Sequence, residues 1–341
     1  MEGLFPWGPR RISGPGPLYR AADLLKGARL FLSLFICNHA NCESRADVVC
    51  RKGDQVRLER PPIGLRYYAP SPPLRSVISS YYCFHANLPF YADLMRADLP
   101  QIRFMLAGHG HYVFSDGATM VTPDVAIIGP TFGSTRFEVT GPLLVLGIGL
   151  LPAGWAALVR EDASSFADRV DDAVALFGGV MSDALDQMAT KATIERCFAI
   201  VDGVMRILFA RMEEPPLWFT RLTDHWLSET LSPEVDRLVA AIGMSGRQVE
   251  RLAKRVYGAP PKMLARKYRA LKAASLLASQ RSSWQEVAGD AFFDQSHFIR
   301  EFKQFTGLTP TQMMNDPSPV TRLTFERRKL TDILPPLIRI S

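Results

Sequence analysis

An α+β, multidomain chain is what the sequence predicts: a β-rich part, then helices, then an all-α C-terminal part. Three observations carry this. Short apolar runs separated by turn residues fill 61–152. From Ala153 onward the apolar residues recur at helical spacing. The stretch 238–261 then repeats 49 positions later as 287–310. In that echo Leu238 matches Val287, Val249 matches Phe298, Arg251 matches Arg300, Lys254 matches Lys303, Gly258 matches Gly307 and Pro261 matches Pro310.

Taken in order, residues 1–60 read as an irregular leader, because Pro6, Pro9, Pro15 and Pro17 alternate with Gly3, Gly8, Gly14 and Gly16. The apolar run at 30–37 follows Lys26 and Arg29. It lacks a small-residue cleavage pattern, so secretion is not expected. A β-rich domain is expected over 61–178, a cupin-like barrel or a sandwich. Its strands fall at 77–84, 102–107, 112–115, 125–129, 136–140 and 143–150, divided by Gly108-His109-Gly110, Asp116-Gly117, Thr122-Pro123-Asp124 and Gly141-Pro142. Residues 179–214 form a helical segment. Its stripe of Leu185, Met188, Ile194, Phe198, Val201, Val204, Met205, Leu208 and Phe209 either packs on the chain's own barrel or pairs two protomers in a homodimer. Glu213-Glu214-Pro215-Pro216 ends it. The all-α part spans 215–315, with helices at 218–230, 234–242, 246–257, 261–279, 283–290, 295–305 and 310–314. A tail, 316–341, closes the chain.

Composition narrows the function classes. No run of about 18 apolar residues appears, so no membrane span is expected. Five cysteines, with no CxxC pair among Cys37, Cys42 and Cys50, fit free thiols in a reducing cytoplasm. The basic residues are unevenly placed. Residues 233–312 hold 13 Lys and Arg against 7 Asp and Glu, and the rest of the chain balances at 27 against 27. A polyanionic partner draws affinity from such a region through counterion release.

The repeated unit has the form of a helix-turn-helix, in which one helix braces the backbone and the next lies in the major groove. In the first unit Val249, Leu252, Ala253 and Val256 face inward, while Arg247, Gln248, Glu250, Arg251 and Lys254 face out. In the second, Phe298, Phe302 and Phe305 go in; Gln295, Ser296, His297, Arg300 and Lys303 go out. Arg grips guanine and Gln pairs with adenine. Lys254, Arg255 and Lys303 suit phosphates.

The run 294–310, DQSHFIREFKQFTGLTP, resembles the signature of AraC/XylS-type transcriptional regulators. The first unit, from Gly243-Met244-Ser245 to Leu252, and the joining helix 261–277 are similar to that family too. About 85 residues carry the resemblance. It implies seven helices, two groove readers on one tether, and an N-terminal sensor domain; the run 150–155, LLPAGW, is similar to that domain. The function implied is sequence-specific regulation of transcription, by activation in response to a small-molecule effector. Double-stranded DNA and RNA polymerase are the partners, with no membrane, no cofactor and no enzymatic activity. One departure stands out. The second turn has Ala291 directly before Phe292-Phe293 where the family has glycine before an aromatic, so a rotated, less selective second reader is expected.

Two competing readings have their own residues. His109 and His111, with Asp116, have the spacing of a metal-dependent cupin enzyme, but the rest of that ligand set is missing from the sequence. An architectural DNA binder fits the charge but not the paired readers.

Overall fold

The computed structural model describes residues 62–190, 192–212, 214–279, 285–287, 292, 294–325, 337 and 340. The leader 1–60, its three cysteines and the turn at Ala291 and Phe293 lie outside them.

Eight antiparallel strands make one sheet: β1 (Ile63–Tyr68), β2 (Ile78–Ala86), β3 (Phe90–Met95), β4 (Gln101–Val113), β5 (Thr119–Val121), β6 (Val125–Ile128), β7 (Thr135–Leu150) and β8 (Val170–Asp172). Their order is β1-β2-β7-β4-β6-β8, with β3 on β7 and β5 on β4. The turns expected at Gly108-His109-Gly110 and Gly141-Pro142 do not divide strands. β4 runs on through the first with register shifts at Met105/Ala107 and Ala107/His109, and β7 continues through the second. β4 keeps its pairing with β7 on both sides of these bulges, skipping Leu106 and Gly108, and such bulges bend long strands without ending them.

Strand alternation gives the sheet two different faces. On one, Tyr81, Cys83, Ile102, Phe104, Leu146 and Ile148 pack against helices. On the other, residues of β1, β2, β3, β4 and β7 line a single cavity, so the sheet curls around it as a barrel-like shell.

Helices cover the first face: α1 (Pro152–Leu158), α2 (Ala173–Phe177), α3 (Val180–Ala189) and α4 (Ile194–Ala210). The expected stripe is taken up by the chain's own sheet. Met188, Phe198, Val201, Met205 and Leu208 share one core with Trp155, Tyr81 and Ile148. The Tyr81 hydroxyl fixes α4 by donating to Asp202 at 2.9 Å.

The all-α part comprises α5 (Leu217–Glu229), α6 (Val235–Ile242), α7 (Gly246–Tyr257), α8 (Pro261–Ala278), α9 (Gln295–Thr306) and α10 (Pro310–Asn315). A further helix, α11 (Pro319–Thr324), lies in the tail and returns to the sheet. There the Val320 amide donates to buried Asp93 at 2.9 Å, and the Arg96 guanidinium lies 4.6 Å from the Phe325 ring centroid. Among the described residues no helix is long and apolar enough to cross a membrane.

Candidate DNA interface and the cavity behind it

Helices α7 and α9 are built alike. Ser245 caps α7 in a capping box: its hydroxyl accepts from the Gln248 amide at 3.4 Å, and Gln248 Oε1 accepts from the Ser245 amide at 3.0 Å. Asp294 caps α9, accepting from the His297 amide at 2.8 Å. The helices end at Gly258 (φ 88°) and Gly307 (φ 78°). Both caps and both ends keep the 49-residue offset of the sequence echo. Val249, Ala253 and Val256 are buried on α7, as are Phe298, Phe302 and Phe305 on α9.

The outward positions differ in placement. Arg247, Gln248, Glu250, Arg251 and Lys254 are exposed on α7, and Gln295, Ser296, Arg300 and Lys303 on α9. Lys254 pairs with Glu250 at 2.6 Å. Arg255 is half-buried and turned toward Asp162, 4.0 Å away on the sheet domain. His297 is also half-buried, with its ring 6.0 Å from that of Phe292 and Nε2 3.9 Å from Glu301. These two therefore offer less to a groove than the sequence alone suggests.

Both helices rest their C-terminal ends on one loop of the sheet domain, 129–134 between β6 and β7. A Cβ at Gly258 would lie 2.5 Å from the Pro130 side chain, and one at Gly307 would lie 2.9 Å from Ser134 Cβ. Glycine is needed twice at each position, for the left-handed backbone and for the close approach. The Ser134 amide donates to Gln304 O at 2.9 Å, and the Ala97 amide to Phe305 O at 2.7 Å. With their C-terminal ends seated here, α7 and α9 leave their first turns exposed, the part from which groove helices reach base edges. Gly258→Ala is expected to cost about 1–2 kcal/mol from the left-handed backbone alone, with further cost from the Pro130 contact, measured as a lowered unfolding midpoint.

The helix α8 is the spine. Its first half packs with α7: Leu264, Tyr268 and Leu271 share a core with Val249, Ala253 and Val256. Its second half packs with α9, through Ala273, Ala274 and Leu277 against Phe298 and Phe302. Glu301 on α9, 2 % exposed, is gripped by Arg266 and by Arg269, the latter at 2.6 Å. Lys267 is buried too. It donates to Asp98 O at 2.7 Å and lies 4.9 Å from the Phe132 ring centroid, joining the spine to the sheet domain. Lys272 donates to Thr230 O. So Arg266, Lys267, Arg269 and Lys272 serve internal contacts, and the positive charge of 233–312 overstates the charge on the outer face. Sequence reasoning assigned none of these four, nor Glu301, because a charged residue in a helix reads as solvated until its partner is known.

Behind the loop lies the cavity enclosed by the sheet. It offers about 100 Å³ to the centres of water molecules; a single water needs roughly 10–15 Å³ on that measure, so a small organic molecule fits. Register makes its floor. Tyr82 on β2, Gly147 on β7 and Arg103 on β4 stand in one row, and Ser80, Gly149 and Gln101 stand in the next. A Cβ on Gly147 would collide with the Tyr82 ring. Its absence lets Tyr82 reach across β7, where its hydroxyl accepts from Arg103 Nε at 2.7 Å. The far wall comes from Val320, Thr321 and Thr324 of α11, a tail to which the sequence assigned no role. Thr131, in the docking loop, and Thr135, just after it, also line the cavity.

His109 is exposed on β4, while His111 lines the cavity with Nε2 3.8 Å from Glu138. Asp116 closes a turn instead, accepting from the Ala118 amide at 2.9 Å. Among the described residues no three His, Cys, Asp or Glu side chains are grouped to hold a metal.

Residues 238–316 match a family model described as a helix-turn-helix domain, and 66–172 match a domain of unknown function, DUF6597. No curated protein matches the chain. Among solved structures the chain is similar to ToxT from Vibrio cholerae O395, at 10% identity and TM-score 0.38, over 67% of this chain and 99% of that one. It is similar to unsaturated fatty acid bound wild-type ToxT from Vibrio cholerae strain SCE256, at 10% identity and TM-score 0.39, over 66% and 94%. It is also similar to the AraC-like transcriptional activator CuxR, at 13% identity and TM-score 0.27, over 62% and 86%. Likeness this distant adds nothing to the site. The weight rests on the duplicated capped helices, their shared spine and the helix-turn-helix match on the same residues: 238–316 form a helix-turn-helix domain, and its two units resemble those of AraC/XylS-type regulators.

Proposed function

We propose that the chain is a cytoplasmic, sequence-specific activator whose DNA affinity is set by a small molecule in the sheet cavity, and that it is not an enzyme. The observation that carries this is the loop 129–134. It holds the C-terminal ends of α7 and α9 on one side, and Thr131 reaches the cavity on the other. A ligand preferring one arrangement of that loop shifts the population of DNA-competent protein. Arg247, Gln248, Glu250, Arg251, Gln295, Ser296 and Arg300 read bases, and Lys254 and Lys303 hold phosphates; Arg255 and His297 contribute less. Two readers on a fixed spine need successive major grooves about 34 Å apart, so the DNA bends or one reader engages weakly. RNA polymerase is the protein partner. Two copies on adjacent half-sites use a surface other than the stripe of α4, which is already buried.

A genome-wide binding map followed by footprinting tests this. A discrete protected site is expected. On that site Arg251→Ala should weaken binding by about 1–3 kcal/mol, roughly 5- to 150-fold, and relax one base position. The rotated-reader expectation predicts a smaller loss of discrimination for Arg300→Ala; an equal loss refutes it. Uniform, weak protection of any sequence would leave only a compacting role.

A further inference from the structure

We infer that the sheet cavity is a carboxylate site, with Arg103 as its anchor. This rests on the effector reading above and names the chemical class of that effector. Of the cavity-lining residues ionised at neutral pH, Arg96 and Arg103 are cations and Asp98 is the one carboxylate. Asp98 is spent elsewhere, accepting from the Leu99 amide at 2.8 Å and from Gln101 Nε2 at 3.0 Å. Every hydrogen-bond partner of Arg103 among the described residues is neutral. Nε donates to Tyr82 Oη at 2.7 Å and Gln101 Oε1 at 3.1 Å, Nη1 to Tyr112 Oη at 2.6 Å, and Nη2 to Gln101 Oε1 at 2.8 Å and Met95 Sδ at 3.2 Å. A guanidinium is always charged and carries five N–H donors, so Nη1 and Nη2 each keep a proton with no oxygen partner. An enclosed cation without a counter-charge is costly, and a bidentate carboxylate relieves that cost best.

The surrounding groups agree with that occupant. The Tyr82 hydroxyl donates to Gln101 Oε1 at 2.5 Å, but no acceptor for the Tyr112 proton is found among the described residues. Ser79 Oγ, Ser80 Oγ and Thr135 Oγ1 are buried, have no hydrogen-bond partner among the described residues, and belong to lining residues. Phe84, Met105, Phe137, Val139 and Val145 supply an apolar wall. The fitting ligand is a small monocarboxylate with an apolar or aromatic body. Gly147 leaves room for the Tyr82 ring, which carries its hydroxyl to Arg103 and helps hold the guanidinium in place.

The test is calorimetric titration of the full chain with hexanoate and phenylacetate, against hexanamide and phenylacetamide. The carboxylates should bind and raise the unfolding midpoint, and the amides should not. Arg103→Met should weaken carboxylate binding about 10- to 100-fold, the range for a hydrogen bond to a charged group, and Tyr112→Phe by less. Circular dichroism of each variant separates lost binding from lost fold; if Arg103→Met does not fold, Arg103→Lys, which keeps the charge but not the fork, should bind more weakly than the parent. No binding by either acid, equal binding of acids and amides, or undiminished binding by the Arg103 variant overturns the inference. Footprinting of the parent protein with and without the carboxylate judges the regulator reading separately: carboxylate binding with no protected DNA site in either state leaves this inference standing and removes the other.

Discussion

Glu301→Ala is expected to lower the unfolding free energy by about 3 kcal/mol, the lower end of the range for breaking a buried ion pair. Glu301 sits between α9 and the spine, with Arg266 and Arg269 on it from one side and His297 nearby. Removing the carboxylate leaves two guanidiniums facing an apolar layer, with Arg269 4.7 Å from the Phe292 ring centroid. The arginines are 33% and 18% exposed against 2% for Glu301, so they regain part of their hydration, which sets the low end. Glu301→Gln keeps the shape and one acceptor, and should cost less. Urea unfolding measures both; a loss for Glu301→Ala below about 1 kcal/mol would mean that the two arginines do not hold α9. DNA affinity should fall along with stability although Glu301 faces away from solvent, because the second reader loses its fixed seat on the spine.

Stability should rise between about pH 8 and pH 10, against the usual fall on the alkaline side. Burial pushes Lys267 down to about 8, opposed by Asp98 and Asp168, and burial alone pushes Lys272 down to about 8. The unfolded value is near 10.4. Below pH 8 both forms hold the proton, and the folded state bears the full cost of two buried ammonium groups. Above it the folded chain releases protons that the unfolded chain keeps, so the unfolding free energy climbs. Each lysine contributes at most about 3 kcal/mol over the whole window. The rise should end near pH 10. There Tyr81, Tyr82 and Tyr257, all pushed up by burial, resist ionising in the folded state and begin to favour unfolding. Lys267→Met should remove about half the rise and leave neutral-pH stability unchanged or higher, since an apolar side chain of similar volume replaces a buried charge. A pH profile that is flat in the parent protein would show that both ammonium groups stay well solvated.

The regular elements near the readers were legible because their signals are local. Ser245 with Gln248, Gly258 and Pro261 mark helix ends within a few residues, and α7 was placed at its observed bounds. The strands were less legible. The glycines of β4 and β7 read as turns, since only the pairing of those two strands turns them into bulges. β1 and β3 were missed although prolines flank both, because Gly64 and Arg66 in one and Ala92 and Asp93 in the other break up the apolar run.

The sequence by itself determined that two like helical units stand 49 residues apart on one joining helix, with inner and outer faces in the same register. Periodicity and caps depend on neighbours three or four residues away, so they survive without a fold. Only the tertiary structure decided which charges are spent. Glu301 meets Arg266 across 35 residues, Lys267 meets Asp98 across 169 and Asp93 meets Val320 across 227. The same holds for Arg103, whose cavity, glycine floor and tail-helix wall come from strands and a helix distant in the chain. Burial and pairing are set by what the folded chain brings together, and no window along the sequence contains both partners.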